Sequence, residues 1–239
     1  MCLPSSSVPP QPVQGSAAMS DNKRRLPVYI LLDRLAMSLG DHTHAAWGAV
    51  IDLLRQLGCG LHGLPPERIW ASVIAFDGSA RQLRPLAPVR ELARPLPGGN
   101  RLATASAGPA ALGEALRLVH ECICREVRGP SGEWPGDWTP LVILVSDGQA
   151  GDGWQDAACR LTRGSRPVVL ACALGQDANL EVLKRVAHSV LRVAERPAGA
   201  RLEVRLWPRA VLTWCSPSSG AAQDGPATQG VPTGIRIEP

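Results

Sequence analysis

Four short apolar runs, "VYILL" at 28–32, "IWASVIAF" at 69–76, "LVILV" at 141–145 and "VVLACA" at 168–173, constrain this chain more than any other feature. "LVILV" and "VVLAC" are continuously apolar, the pattern of strands covered on both faces of a parallel sheet. Helical periods separate the runs. Ala46, Ala49, Val50, Leu53, Leu54 and Leu57 repeat at i, i+3, i+4 and i+7, as do Leu112, Ala115, Leu116, Val119 and Ile123. Leu180, Leu183 and Ala187 mark a third helix, and 200–215 reads as a last one despite Pro208. A weaker strand falls at Val190–Val193, and Ala80–Leu83, alternately polar and flanked by proline, reads as an edge strand. Strands alternating with helices over this length predict a doubly wound α/β sheet.

The periodic segments occupy 24–215. Residues 1–23 are rich in Pro and Ser, without the basic start and apolar stretch of a secretory signal, and are expected to be a disordered tail, with Met19 a candidate translation start. Residues 216–239, again Pro, Gly, Ser and Ala, are expected to be a flexible tail. One domain is therefore expected.

Composition narrows the partners. No apolar run approaches the roughly 18–20 residues needed to cross a bilayer. The net charge of +4 is mild, the arginines are scattered, and the seven tryptophans do not alternate with basic residues as a single-strand groove requires. Neither nucleic acid nor membrane is an expected partner. Seven cysteines, an odd number spread mostly through apolar segments, suit reduced core thiols in a cytoplasmic protein rather than a disulfide framework. Cys122 and Cys124 in "HECIC" point to nearly opposite sides of a helix, and no second cluster supplies zinc-ligand spacing.

In doubly wound sheets ligands sit beyond the carboxyl ends of the strands, where strand order reverses. Two strands end there in an acid: "YILLD" in Asp33 and "LVILVSDG" in Asp147. Each has two readings, a turn or helix cap accepting backbone N–H bonds, or half of a shared cation site. Glycine-rich dinucleotide and nucleotide-triphosphate motifs are absent.

"RRLPVYILLD", "VIAFDGSARQL", "ALGEALRLV", "WTPLVILVSDGQAGDGW" and "LTWCS" resemble, in order and spacing, a bacterial von Willebrand factor A (vWA) domain of the tellurium-resistance TerY type. The resemblance implies a Rossmann-like vWA fold with a mostly parallel central sheet, one antiparallel edge strand and helices on both faces. It also implies a metal-ion-dependent adhesion site built from Asp-x-Ser-x-Ser after the first strand, a loop threonine, and an acid after the fourth strand. Such a set suits Mg²⁺, a hard cation that takes oxygen donors in octahedral geometry. Carried onto this chain, the motif keeps Asp33 and Asp147 but has Leu35 and Met37 for the serines and Ala110 for the threonine. Ser38 lies one place beyond the motif. Three of five ligand positions lack an oxygen, so Mg²⁺ is expected to bind weakly or not at all, leaving a degenerate site with no required cofactor.

The expected function is therefore that of a non-enzymatic protein-protein interaction module, an adaptor or scaffold. The resemblance implies a bacterial cytosolic stress-response or defence assembly, with a kinase/phosphatase pair or a larger complex as partners. Contact is expected at the strand carboxyl ends through Arg34, Arg101 and Trp154. For each tryptophan the competing reading is packing onto the domain's own helices. The alternative function is a metal-dependent phosphotransferase or hydrolase using Asp33 and Asp147, which would want a second acid where Leu35 stands. No recognised motif places a histidine beside a serine or cysteine, so catalysis is not expected.

Overall fold

Every residue of β1 (Leu26–Asp33) is buried, because parallel partners flank it on both sides. The computed structural model describes residues 24–38, 55, 57–60, 64–93, 110–193 and 235–238. After β1 come the short helix α1 (Arg34–Ser38), β2 (Ile69–Phe76), β3 (Ala80–Pro88), α2 (Leu112–Glu126), β4 (Leu141–Ser146), α3 (Trp154–Gly164), β5 (Val168–Ala173), α4 (Leu180–Val186), β6 (Ser189–Val193) and β7 (Ile235–Glu238). They form one seven-stranded sheet in the order β3-β2-β1-β4-β5-β6-β7. The contiguous pairs from β2 to β6 are parallel, and β3 runs antiparallel along β2 at the edge. The edge strand expected at 80–83 is longer, continuing through Pro85 to Pro88 with register shifts opposite Ala71–Ile74, the irregularity expected where proline cannot donate to a ladder.

Strand pleat divides the core. Val28, Ile30, Leu32, Val73, Ile143 and Leu170 face one side, packing with Leu57, Leu64, Leu92 and Met37. Tyr29, Leu31, Phe76, Val142, Leu144 and Ala171 face the other, under the apolar stripes of α2, α3 and α4. Arg55 and Leu57 are the described residues of the helix expected at 46–57; its other residues, the helix expected at 200–215 and "LTWCS" lie outside the described residues.

Two elements depart from expectation. Strand β7 falls within 216–239, the stretch read as a flexible tail, and pairs antiparallel with β6 from Val190↔Glu238 to Val193↔Ile235. Its "IRIE" is an alternating pattern, overlooked among Pro and Gly. Helix α3 was not anticipated either, although Trp154, Ala157, Ala158 and Leu161 form its buried face.

At the amino edge of the sheet, Arg25 is 7% exposed and forks onto Asp137 through Nε at 2.8 Å and Nη2 at 2.5 Å. Its guanidinium lies over the Trp70 ring. This charge-assisted pair pins the loop before β4 to the start of β1.

Candidate functional site

Strand order reverses at β1, which β2 and β4 flank, so the switch point lies between the carboxyl ends of β1 and β4. Asp33 and Asp147 stand at this crevice, where the fold places ligands. The Leu32↔Val145 pairing makes Ser146 the next neighbour of Asp33. The Ser146 hydroxyl donates to Asp33 Oδ2 at 2.6 Å, and the Ala36 N–H donates to Oδ1 at 3.1 Å. Asp33 is 0% exposed. Burial pushes its carboxyl up to about 6, a rise that the Ser146 and backbone hydrogen bonds oppose and the negative charge of Asp147 reinforces. Asp33 therefore caps α1, in keeping with the capping reading. Sequence reasoning passed over Ser146, whose signal was its place directly before Asp147 on a strand parallel to β1.

The neighbouring acids are engaged likewise. Asp147 accepts from the Gln149 N–H at 2.9 Å. Asp77 accepts from the Ser79 N–H at 3.2 Å and from Arg34 Nη1 at 2.8 Å. Arg34, directly after Asp33 in the chain, thus pairs across the crevice with the acid after β2. Asp152 accepts from the N–H groups of Gly113 at 2.8 Å and Glu114 at 3.0 Å, capping α2 from the β4–α3 loop because Ala111 has no capping side chain. Gly113 is required by that approach, since a Cβ there would lie 2.7 Å from Asp152 Oδ2.

The three positions aligned with hydroxyl ligands are apolar and packed. Met37, 1% exposed, sits in the core on one sheet face; Leu35 packs against the other. Ala110, 4% exposed, forms a parallel bridge with Ala150 and accepts the Gly151 N–H through its carbonyl at 3.2 Å. Among the described side chains, Leu35, Met37 and Ala110 offer no oxygen to a hard divalent ion, and the Asp33 carboxylate is hydrogen-bonded under cover. Among the described residues, no group of three or more His, Cys, Asp or Glu is arranged to hold a metal.

Of the residues expected at a partner surface, Arg34 is at this rim, with its side chain 20% exposed, and Arg101 lies outside the described residues. Trp154 is a correction: it is the first residue of α3 and 7% exposed, buried with Leu112, Ala115 and Ala157. An indole at the start of an amphipathic helix gains more from covering the sheet than from water, which was the competing reading.

Away from the crevice, two sequence readings are revised. Cys122 and Cys172 are buried as expected of core thiols, but Cys59 and Cys124 are exposed. The structure also sets an imidazole beside a thiol and a hydroxyl: His120 Nε2 is 3.9 Å from Cys124 Sγ, and Nδ1 is 3.2 Å from Ser165 Oγ.

A mostly parallel sheet with this order, an antiparallel edge strand and helices around it make a Rossmann-like α/β fold of the vWA kind. The chain resembles proximal thread matrix protein 1 from the mussel byssus, solved with a zinc-occupied MIDAS motif, at 19% identity and a TM-score of 0.54 over 71% of this chain and 43% of that one. It also resembles manganese-loaded TRAP protein from Plasmodium vivax, at 16% identity and a TM-score of 0.53 over 79% of this chain and 71% of that one. The chain thus spans under half the length of the mussel protein, and at these identities the likeness is one of fold. No family profile matches the chain, and no curated protein matches it in sequence.

Proposed function

We propose that this chain is a non-enzymatic protein-binding module that engages its partner through the loops at the carboxyl ends of β1, β2 and β4, without a bridging metal ion. One observation carries the reading: Asp33, Asp77, Asp147 and Asp152 all accept hydrogen bonds from this chain's own donors. Positions 35, 37 and 110 meanwhile supply packing instead of oxygen. A vWA site working through a metal needs hydroxyl oxygens beside its acids and one coordination position open for the partner. Here the acids hold the loops in place, which is what a surface recognised by shape requires. Arg34, Gln149 and the exposed Gly151 lie on that surface.

The resemblance in sequence to TerY-type domains supports a finer reading: a bacterial, cytoplasmic stress-response or defence assembly linked to tellurium resistance, with a kinase/phosphatase pair or a larger complex as partner. Among the described residues no helix is long and apolar enough to cross a membrane. A phosphotransferase or hydrolase using Asp33 has less support, because a nucleophile must reach its substrate and this carboxylate is wholly covered.

The test is affinity capture of products of neighbouring genes by the intact chain, with Mg²⁺ or with EDTA. Equal capture in both, weakened by Arg34→Glu and Gln149→Ala but not by Arg128→Ala at the opposite edge, is expected. Capture abolished by EDTA would overturn the metal-free reading, and equal sensitivity at both edges would overturn the placement.

A further inference from the structure

We infer that Cys124 is a site of covalent thiol modification, its sulfur assisted by the His120–Ser165 pair and reacting with small-molecule disulfides. His120 and Cys124 are four residues apart on α2 and so share one helix face. The polar chain around them has a direction. Ser165 Oγ donates its only hydrogen to the Leu161 carbonyl at 3.3 Å. With that hydrogen so placed, Ser165 Oγ accepts from His120 Nδ1–H, and in that tautomer Nε2 is unprotonated and faces Cys124 Sγ. This is the tautomer in which the imidazole acts as a base toward the thiol, and the inferred reaction runs through it.

The ring has room because of one glycine. A Cβ on Gly164 would lie 2.6 Å from His120 Cε1, and Gly164 is not among the residues of positive φ, so its lack of a side chain serves the ring's space and not the backbone. The other described thiols are differently placed. Cys172 is buried and pushed up to about 12 by burial alone. Cys122 is buried, its pKa raised by burial, and its sulfur accepts from Arg125 Nη2 at 3.5 Å. Cys124 alone among the described cysteines combines exposure with a recorded imidazole contact.

The small-molecule disulfide is itself the oxidant: one of its sulfurs is reduced to the thiol level as the Cys124 sulfur is oxidised. The Cys124 sulfur attacks one sulfur of R–S–S–R while its proton passes to His120 Nε2. The S–S bond breaks and its electron pair leaves on R–S⁻. That thiolate takes the proton from the imidazolium, giving Cys124–S–S–R and R–SH. The product is a mixed disulfide on the surface shared by α2 and α3, formed once per molecule.

The experiment incubates the full-length chain with oxidised glutathione and follows each cysteine by peptide mass spectrometry, in the folded protein and in urea. Cys124 should react about tenfold faster folded than unfolded, a modest share of what general-base assistance can supply because the pair is exposed and 3.9 Å apart. His120→Gln should remove that advantage while leaving Cys59 unchanged, and Gly164→Ala should slow Cys124 by displacing the ring. A folded rate at or below the unfolded rate overturns the inference, as does an unchanged Cys124 rate in folded His120→Gln protein. The folded-to-unfolded ratio decides the matter if that variant does not fold.

Discussion

Asp33→Asn is the substitution that most directly tests how the crevice is held. The Asp33 carboxyl is pushed from 3.8 to about 6 in the fold, chiefly by burial. The folded chain therefore holds this proton more tightly than the unfolded chain. The stabilisation is fully present below pH ~4 and is lost as the pH rises through about 6, a loss of about 3 kcal/mol by pH 8 at 1.36 kcal/mol per pH unit. An asparagine cannot ionise, and its carbonyl can still accept the Ala36 N–H while its amide faces Ser146 Oγ. At pH 4 the variant should lie within about 1 kcal/mol of the natural chain. At pH 8 it should be the more stable by about 2–3 kcal/mol, or about 5–10 °C in melting temperature for a domain of this size. The assay is urea unfolding of both proteins at steps from pH 4 to pH 8, read as their difference so that other titrating groups cancel. A difference that stays flat with pH, or a variant that is the less stable at pH 8, refutes the reasoning. The second result is also what a working acidic metal ligand would give in Mg²⁺.

Three further perturbations follow from the same geometry. Arg25→Met strips the charge partner from Asp137, whose side chain is 0% exposed, and should cost about 3–5 kcal/mol in urea unfolding; a cost under 1 kcal/mol would contradict a buried pair. Met37→Ser, alone or with Leu35→Ser and Ala110→Thr, should destabilise by about 2–5 kcal/mol because Met37 fills core space. Millimolar Mg²⁺ should leave the melting temperature of the natural chain unchanged, and a rise equal to that of the triple variant would show that these positions are not lost ligands. Gly148→Ala forces a side chain at φ +74 with its Cβ 2.6 Å from the Asn179 carbonyl, so a loss of about 2–3 kcal/mol is expected; an unchanged midpoint would mean that the β4–α3 turn yields readily.

The architecture was legible because it is written in local periods. Continuous apolar runs require cover on both faces, and the stripe through Leu112, Leu116, Val119 and Ile123 can only be the inner face of a helix. Strands β2 and β5 begin and end where the apolar runs do. The strand-end acids were legible too, since Asp33 and Asp147 follow directly from such runs. What the sequence could not disclose were contacts set by the register of distant segments. Ser146 reaches Asp33 across 113 residues, Arg34 reaches Asp77 across 43, and Asp152 caps a helix that begins 40 residues earlier. Sequence alone therefore determined that two acids meet at a switch point, because strand pattern and chain order require it. Only the tertiary structure decided which donors reach them, the Ser146 hydroxyl and Ala36 N–H at Asp33 and the Gln149 N–H at Asp147, because the first of those contacts depends on the register of distant segments. The same division holds for Trp154, whose type suggested an anchor and whose burial makes it core, and for Cys124: the helical period put His120 beside it, but only the packing of α3 on α2 brought Ser165 to the ring.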